Sequence, residues 1–262
     1  MSTVTSADGT TIAYERSGTG PAVILVDGAM CYRASGPMRG LAAVLSPAFT
    51  VYAYDRRGRG ASGDTAPYAV AREIGDLRAL VAEAGDGVFA YGISSGAALL
   101  LHAAAAGVPF GGLALYEPPF VSEVDGGTWS RDYTRRLAAL LDAGRDGDAI
   151  ELFMTSVGLP AEMVAGMRTQ PFWPMFESIA PTLAYDNAVM GDSAVPRSVA
   201  AEVAVPVLVA AGGASPDNLR VAAKTTAEAV PGAVYRELPG QTHDVTPESL
   251  GPVLTDFFTQ GR

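Results

Sequence analysis

The stretch Val88-Phe-Ala-Tyr-Gly-Ile-Ser-Ser-Gly-Ala97 sets a short apolar run against a Gly-x-Ser-x-Gly turn, and an alanine- and leucine-rich segment follows at once to Ala106. An apolar run of this length bounded by glycine reads as a buried strand, and the segment after it as a helix. A chain that reverses from strand to helix this sharply has no room for a Cβ atom at Gly92 or Gly96. The reversal pushes the Ser94 side chain out above the sheet edge, as in a nucleophile elbow. The N-terminal N–H groups and dipole of the helix then sit where a negatively charged oxygen would form. Gly-x-Ser-x-Gly also describes a tight turn with an exposed serine, so its weight comes from the surrounding sequence.

Working outward, Thr10 to Arg16 and Ala22 to Val26 read as strands, the second ending at Asp27-Gly28. Leu41 to Leu45 reads as helical and Thr50 to Tyr54 as a strand running into Asp55-Arg-Arg-Gly-Arg-Gly-Ala-Ser62. Val70, Ile74, Leu77, Leu80 and Val81 recur at helical spacing. After the elbow come strands at Gly112 to Tyr116, Val205 to Ala210 and Ala233 to Leu238. A helix at Asn218 to Ala229 and a closing helix bearing Leu250, Val253, Leu254, Phe257 and Phe258 complete the pattern. Alternation of this kind predicts an α/β fold with a mostly parallel, doubly wound sheet covered on both faces. Between Val121 and Pro196 helices follow one another: Tyr133, Leu137, Leu140 and Leu141 mark one, and Ile150 to Met154 a second. Pro160 suits the first position of a third containing Met163 and Met167. Pro171-Phe-Trp-Pro-Met-Phe176 concentrates aromatics in a stretch that its two prolines keep from being one regular helix. The expected organisation is a core of residues 1–120 and 196–262 with a helical cap at 121–195.

At 262 residues the chain suits one α/β core plus an insertion. No apolar run reaches the ~18 residues of a membrane span, and the first residues lack a basic segment followed by an apolar one. One cysteine, Cys31, rules out an intrachain disulfide, and its expected role is that of a small buried apolar residue. A net charge of −10 argues against nucleic acid and against anionic lipid. A cytoplasmic protein with a small-molecule partner and no metal or cofactor is expected.

Only two histidines are present. His102 lies mid-helix among leucines and alanines, where a packed, hydrogen-bonded side chain is expected. His243, in Leu238-Pro-Gly-Gln-Thr-His-Asp244, follows a strand and precedes a helix start. A serine hydroxyl needs a base within hydrogen-bond reach to act as a nucleophile, so Ser94 and His243 form the candidate pair. The Arg-rich loop at Asp55 to Ser62 is read as structural, with Gly58 and Gly60 serving a turn that Asp55 caps.

The elbow, the Asp-x-Arg-Gly-x-Gly-x-Ser loop and the late histidine together resemble the α/β-hydrolase superfamily over residues 10–120 and 196–262. The resemblance implies a helical cap inserted after the sixth strand, Ser94 as nucleophile, His243 as base, and the backbone N–H groups of Ala29 and Ser95 as the oxyanion hole. Where the family usually opens that loop with His-Gly, this chain has Asp27-Gly28-Ala29, with Asp27 expected to point away and hydrogen-bond its own loop. Where the family usually carries the triad aspartate, Gly212-Gly-Ala-Ser-Pro216 has Ser215, which cannot offset an imidazolium charge. Asp217 and Asp244 lie nearby in sequence. Glu117, ending Gly112-Leu-Ala-Leu-Tyr-Glu-Pro-Pro119, resembles the acid that some haloalkane dehalogenases carry on this earlier strand, and the two prolines are expected to hold it extended. Glu117 is therefore the expected third member, orienting His243, with Asp217 or no carboxylate as the alternatives. Dehalogenation is not implied, since that branch uses an aspartate where this chain has Ser94.

Five of the eight methionines, Met154, Met163, Met167, Met175 and Met190, fall in the insertion together with Phe153, Phe172, Trp173, Phe176 and Tyr185. They form either a pliable pocket wall above Ser94 or the insertion's own core. Met30, Trp173 and Phe176 are the expected substrate contacts. Asp125, Asp132, Asp146 and Asp148 near Arg131, Arg135, Arg136 and Arg145 read as a solvated helix surface. The expected activity is cleavage of a small, largely apolar carboxylic ester or lactone through an acyl-serine. A cofactor-free perhydrolase, a lyase or cyclase, and a ligand-binding relic of the fold are the alternatives.

Overall fold

A computed structural model describes residues 1–122 and 126–259; Asp125 lies outside them. Eight strands form one sheet: β1 (Ser2–Thr5), β2 (Thr11–Ser17), β3 (Ala22–Val26), β4 (Thr50–Tyr54), β5 (Val88–Ile93), β6 (Phe110–Tyr116), β7 (Val207–Gly212) and β8 (Val234–Leu238). Their order is β1-β2-β4-β3-β5-β6-β7-β8, with β1 and β2 antiparallel to their neighbours and the rest parallel. β1 has no counterpart in the sequence reading because Ser2-Thr-Val-Thr5 carries no apolar run; it is an exposed edge strand defined by its pairing with β2.

Period-two alternation sends the two sides of each central strand to different cores. Ile24, Val26, Ala90, Leu113 and Val209 pack with α2 (Val70–Ala84), α3 (Ser95–Ala105) and α10 (Asp217–Ala229). Val23, Leu25, Tyr91, Ile93 and Leu208 pack with α1 (Met38–Leu45) and α11 (Pro247–Thr259). A sheet buried on both faces needs continuous apolar strands, which is what β3 and β5 supply.

Among the described residues the insertion after β6 contains the α-helices α4 (Thr128–Asp142), α5 (Asp146–Ser156), α6 (Ala161–Arg168), α7 (Trp173–Ile179) and α8 (Leu183–Met190), with a 3-10 turn at Ala180–Thr182, and α9 (Arg197–Ala200) follows just beyond residue 195. Pro160 is the N-cap of α6 rather than its first residue. Pro174 falls in the first turn of α7, where its missing N–H costs no intrahelical bond, so the aromatic stretch becomes a helix entry. A third apolar cluster joins Leu137, Ile150, Met154, Trp173 and Leu183 to Met30, with Ala29 and Phe176 packed at its margin. The insertion thus sits directly on the loop after β3. Among the described residues no helix is long and apolar enough to cross a membrane.

Candidate active site

The parallel strands β3, β5, β6 and β7 end on one edge of the sheet, and the candidate residues gather there. Ser94 leaves β5 with φ +56° and ψ −127°, a conformation costing about 1–3 kcal/mol for a residue with a side chain. The close approach of neighbouring backbone explains both glycines of the elbow. A Cβ on Gly92 would lie 2.6 Å from the Gly96 carbonyl oxygen, and one on Gly96 would lie 2.4 Å from that of Val26. The Ser94 N–H donates to the Tyr116 carbonyl at 2.9 Å, fastening the elbow to β6.

Glu117 follows the last residue of β6, and its carboxylate is wholly buried. Oε2 lies 2.6 Å from His243 Nδ1, and Oε1 accepts the Gly212 N–H at 2.7 Å. The backbone of Glu117 is not extended as expected: it has φ +45°. Its own N–H is bonded to the Ala210 carbonyl at 3.0 Å, so the strained residue is held from both ends. The His243 side chain is 38% exposed, and the Tyr116 hydroxyl donates to the Thr242 carbonyl at 2.6 Å, fixing the loop that carries it. With Glu117 accepting at Nδ1, the other ring nitrogen is the one free to serve as a base.

On the third side, Gly28 presses against the elbow; a Cβ there would meet Ser94 Cβ at 3.1 Å and Oγ at 3.6 Å. Ala29 therefore follows the residue in contact with the serine, and Ser95 opens α3, where N–H groups have no intrahelical partner. Residues 18–250 match the Alpha/beta hydrolase family. The chain belongs to that family. An alpha/beta hydrolase from Sphaerobacter thermophilus is 51% identical, with 98% of this chain and 100% of that chain covered at a TM-score of 0.88. A hydrolase from Pseudomonas aeruginosa (22% identity, 98% of each chain, TM-score 0.75) shares the fold. So does a thermophilic esterase from Thermogutta terrifontis (19% identity, 99% and 98%, TM-score 0.71). No curated protein matches significantly.

Within this alpha/beta hydrolase the remaining candidates are dispersed. Asp217 is 88% exposed and ion-paired to Arg220. Asp244 is exposed. Ser215 is buried, and its hydroxyl has no hydrogen-bond partner among the described residues. Asp27 differs from its expectation: it is buried, and neither carboxylate oxygen has a hydrogen-bond partner among the described residues. It directly follows β3, in step with Val23 and Leu25, and its carboxylate lies inside the protein against Gly36, where a Cβ would meet Asp27 Oδ1 and Cys31 Cβ at 3.1 Å each. Burial raises its pKa to about 7 against the opposing pull of Arg59 and Arg56. Burial, with Asp27 beside it, pushes the Cys31 thiol up to about 12, away from thiolate chemistry. His102 is packed, with Nε2 3.1 Å from the Val189 carbonyl, and burial lowers its pKa.

The aromatic and methionine residues of the insertion do not share one wall. Trp173 is 4% exposed in the insertion's apolar cluster, donating its indole N–H to Glu177 at 2.9 Å. Met163 is 57% exposed, Phe172 is also exposed, and Met190 packs against the sheet-side core. Tyr185 stacks on Tyr68 at 3.9 Å and donates to Asp64. Met30 is a buried member of the insertion's apolar cluster, and Phe176 and Ala29 pack at its margin. A cavity of about 370 Å³ borders His243, walled by Met38, Leu41, Tyr91, Ile93 and Leu250 among others.

Sequence reasoning missed Asp186. It is buried, accepts from Ser95 Oγ at 2.7 Å, and pairs with Arg56 and Arg59 of the Asp55 loop. Its side of this contact gave no local signal, since 130 residues separate it from Arg56.

Proposed function

We propose that this alpha/beta hydrolase cleaves a small, largely apolar carboxylic ester or lactone through an acyl-serine intermediate. Ser94 attacks the carbonyl carbon as His243 takes its proton, and the Glu117 carboxylate orients the ring and stabilises the imidazolium. The oxyanion accepts hydrogen bonds from Ala29 and Ser95 N–H. His243 returns the proton to the leaving alkoxide, and water repeats the sequence on the acyl group. The observation that carries this reading is the 2.6 Å contact between His243 Nδ1 and a wholly buried Glu117, beside a strained Ser94. The esterase from Thermogutta terrifontis among its structural neighbours supports the ester class. The apolar residues around Ala29, Met30 and His243 support an apolar substrate. Reaction with a fluorophosphonate followed by peptide mapping tests it. Rapid stoichiometric modification of Ser94, absent in Ser94→Ala, is expected; an unmodified wild type points to a ligand-binding protein on this fold.

A further inference from the structure

Arg56, Arg57 and Arg59 of the loop after β4 are all buried. A buried guanidinium needs partners for its donors, and those of Arg57 are remote from the candidate site: Asp76 by a two-bonded fork, Asp8 and the Arg72 carbonyl. Arg59 is different. Its Nη1 donates to the Gly28 carbonyl at 2.6 Å and to the Cys31 carbonyl at 3.3 Å, gripping the loop that carries Ala29 at both ends. Arg56 Nη1 adds the Asp27 carbonyl at 3.3 Å.

The Gly28 carbonyl and the Ala29 N–H belong to one planar peptide unit and point in opposite directions. A cation that fixes the carbonyl therefore fixes where the N–H points, and by polarising the amide strengthens it as a donor. Arg59 is itself set by the insertion: Nη2 meets Asp186 at 2.6 Å and Nε meets Thr182 Oγ1 at 3.1 Å. Burial alone would raise the Asp186 pKa, but Arg59 and Arg56 outweigh it and hold the carboxyl below its ordinary value. The other oxygen of Asp186 accepts from Ser95 Oγ and Arg56, so one carboxylate touches the elbow residue and holds the arginine behind the opposite donor.

We infer that Arg59, anchored by Asp186 of the helical insertion, is a positioning residue that aims the Gly28–Ala29 peptide into the oxyanion hole and ties the hole to correct seating of the insertion. This rests on the proposed roles of Ser94 and Ala29. Asp186→Asn keeps the shape but removes the charge that holds Arg59. Active sites are titrated with the burst from p-nitrophenyl acetate, so that misfolded molecules do not count. Relative to wild type, kcat per titrated site is expected to fall about 10- to 100-fold with KM within about threefold, since loss of a whole oxyanion donor costs about 10²–10³. Inhibition by a trifluoromethyl ketone, which forms the tetrahedral adduct, should weaken by a similar factor.

Asp76→Asn is the control: it breaks the equally buried Arg57 pair, which touches no carbonyl of the Ala29 loop, and should lower Tm while leaving kcat per site unchanged. Thr182→Val removes one Arg59 partner more gently and should lower kcat per site about three- to tenfold; if Asp186→Asn does not fold, this variant decides. Wild-type kcat per site in the Arg59-side variants, or an equal fall in Asp76→Asn, would overturn the inference while leaving the serine mechanism intact. A wild type with neither a burst nor fluorophosphonate modification at Ser94 would overturn both.

Discussion

Two carboxylates at the sheet edge, Glu117 and Asp27, are both buried yet face opposite fates. Glu117 has a partner for each oxygen, whereas Asp27 has none among the described residues. Triad members are unequal in weight, the acid contributing less than serine or histidine. Glu117→Gln keeps size but loses the charge that stabilises an imidazolium, so turnover is expected to fall about 10²- to 10⁴-fold with little change in fold. Asp217→Asn and Asp244→Asn should each cost less than about tenfold in the same assay; a silent Glu117→Gln would remove it from the mechanism. Asp27 bears on stability instead. Its folded pKa of about 7 lies above the ordinary carboxylate value. Between these values the folded chain keeps a proton that the unfolded chain has released, so stability falls as pH rises through this window, and the cost is complete above about pH 7. Asp27→Asn has no such proton to lose. Its Tm should gain on that of wild type between pH 5 and pH 8, and parallel Tm–pH curves would contradict the assignment. Glu117 was legible because a strand after the elbow helix had to end beside β5; the orphaned state of Asp27 was not, because it depends on what the loop at Cys31 and Gly36 packs against it.

At the scale of elements, the apolar spacing of strands and helices exposed the doubly wound core, while the insertion showed only that it was helical and apolar. Helical spacing identifies a stripe but not what lies opposite it, and Trp173 illustrates the difference. Its ring packs among Trp173's own neighbours in the insertion, against Phe176 and under the Arg168 guanidinium, with its N–H on Glu177. Trp173→Ala should therefore lower stability by about 3–5 kcal/mol, the range for truncating a buried aromatic, with little change in preference among acyl chain lengths. Met30→Ala, which truncates another buried member of the insertion's apolar cluster, should also lower Tm, whereas Phe176→Ala, half-buried at the cluster's margin, should change that preference more than it changes Tm. Melting curves with an ester panel separate the two, and a selectivity shift without loss of Tm in Trp173→Ala would return the indole to the pocket wall. The Asp55 loop was half legible for a related reason. Gly58 and Gly60 take positive φ and Asp55 accepts the Ala61 N–H at 2.8 Å, all local features. The inward turn of its arginines depends on Glu73, Asp76 and Asp186, which no local pattern connects to it.

Across the whole molecule, the insertion and the sheet share partners too extensively to behave as separable units. Val189 and Val195, on the insertion side of the boundary drawn at residue 195, pack in the sheet-side core. His102 meets the Val189 carbonyl, Tyr185 reaches Asp64, and Asp186 holds Arg56 and Arg59. Removing one partner of a buried ion pair costs about 3–5 kcal/mol, and whole domains are stable by only about 5–15 kcal/mol. Excising residues 121–195 in favour of a short glycine-serine linker would strip two buried arginines of their shared carboxylate and expose Met30 together with part of the sheet-side core. The full chain is accordingly expected to unfold in one calorimetric transition, and the excised chain to show no cooperative transition at all. A cooperative melt of the excised chain near the Tm of the full chain would mean that Arg56 and Arg59 find other partners without Asp186, and the insertion would then be a removable lid rather than part of the folding unit.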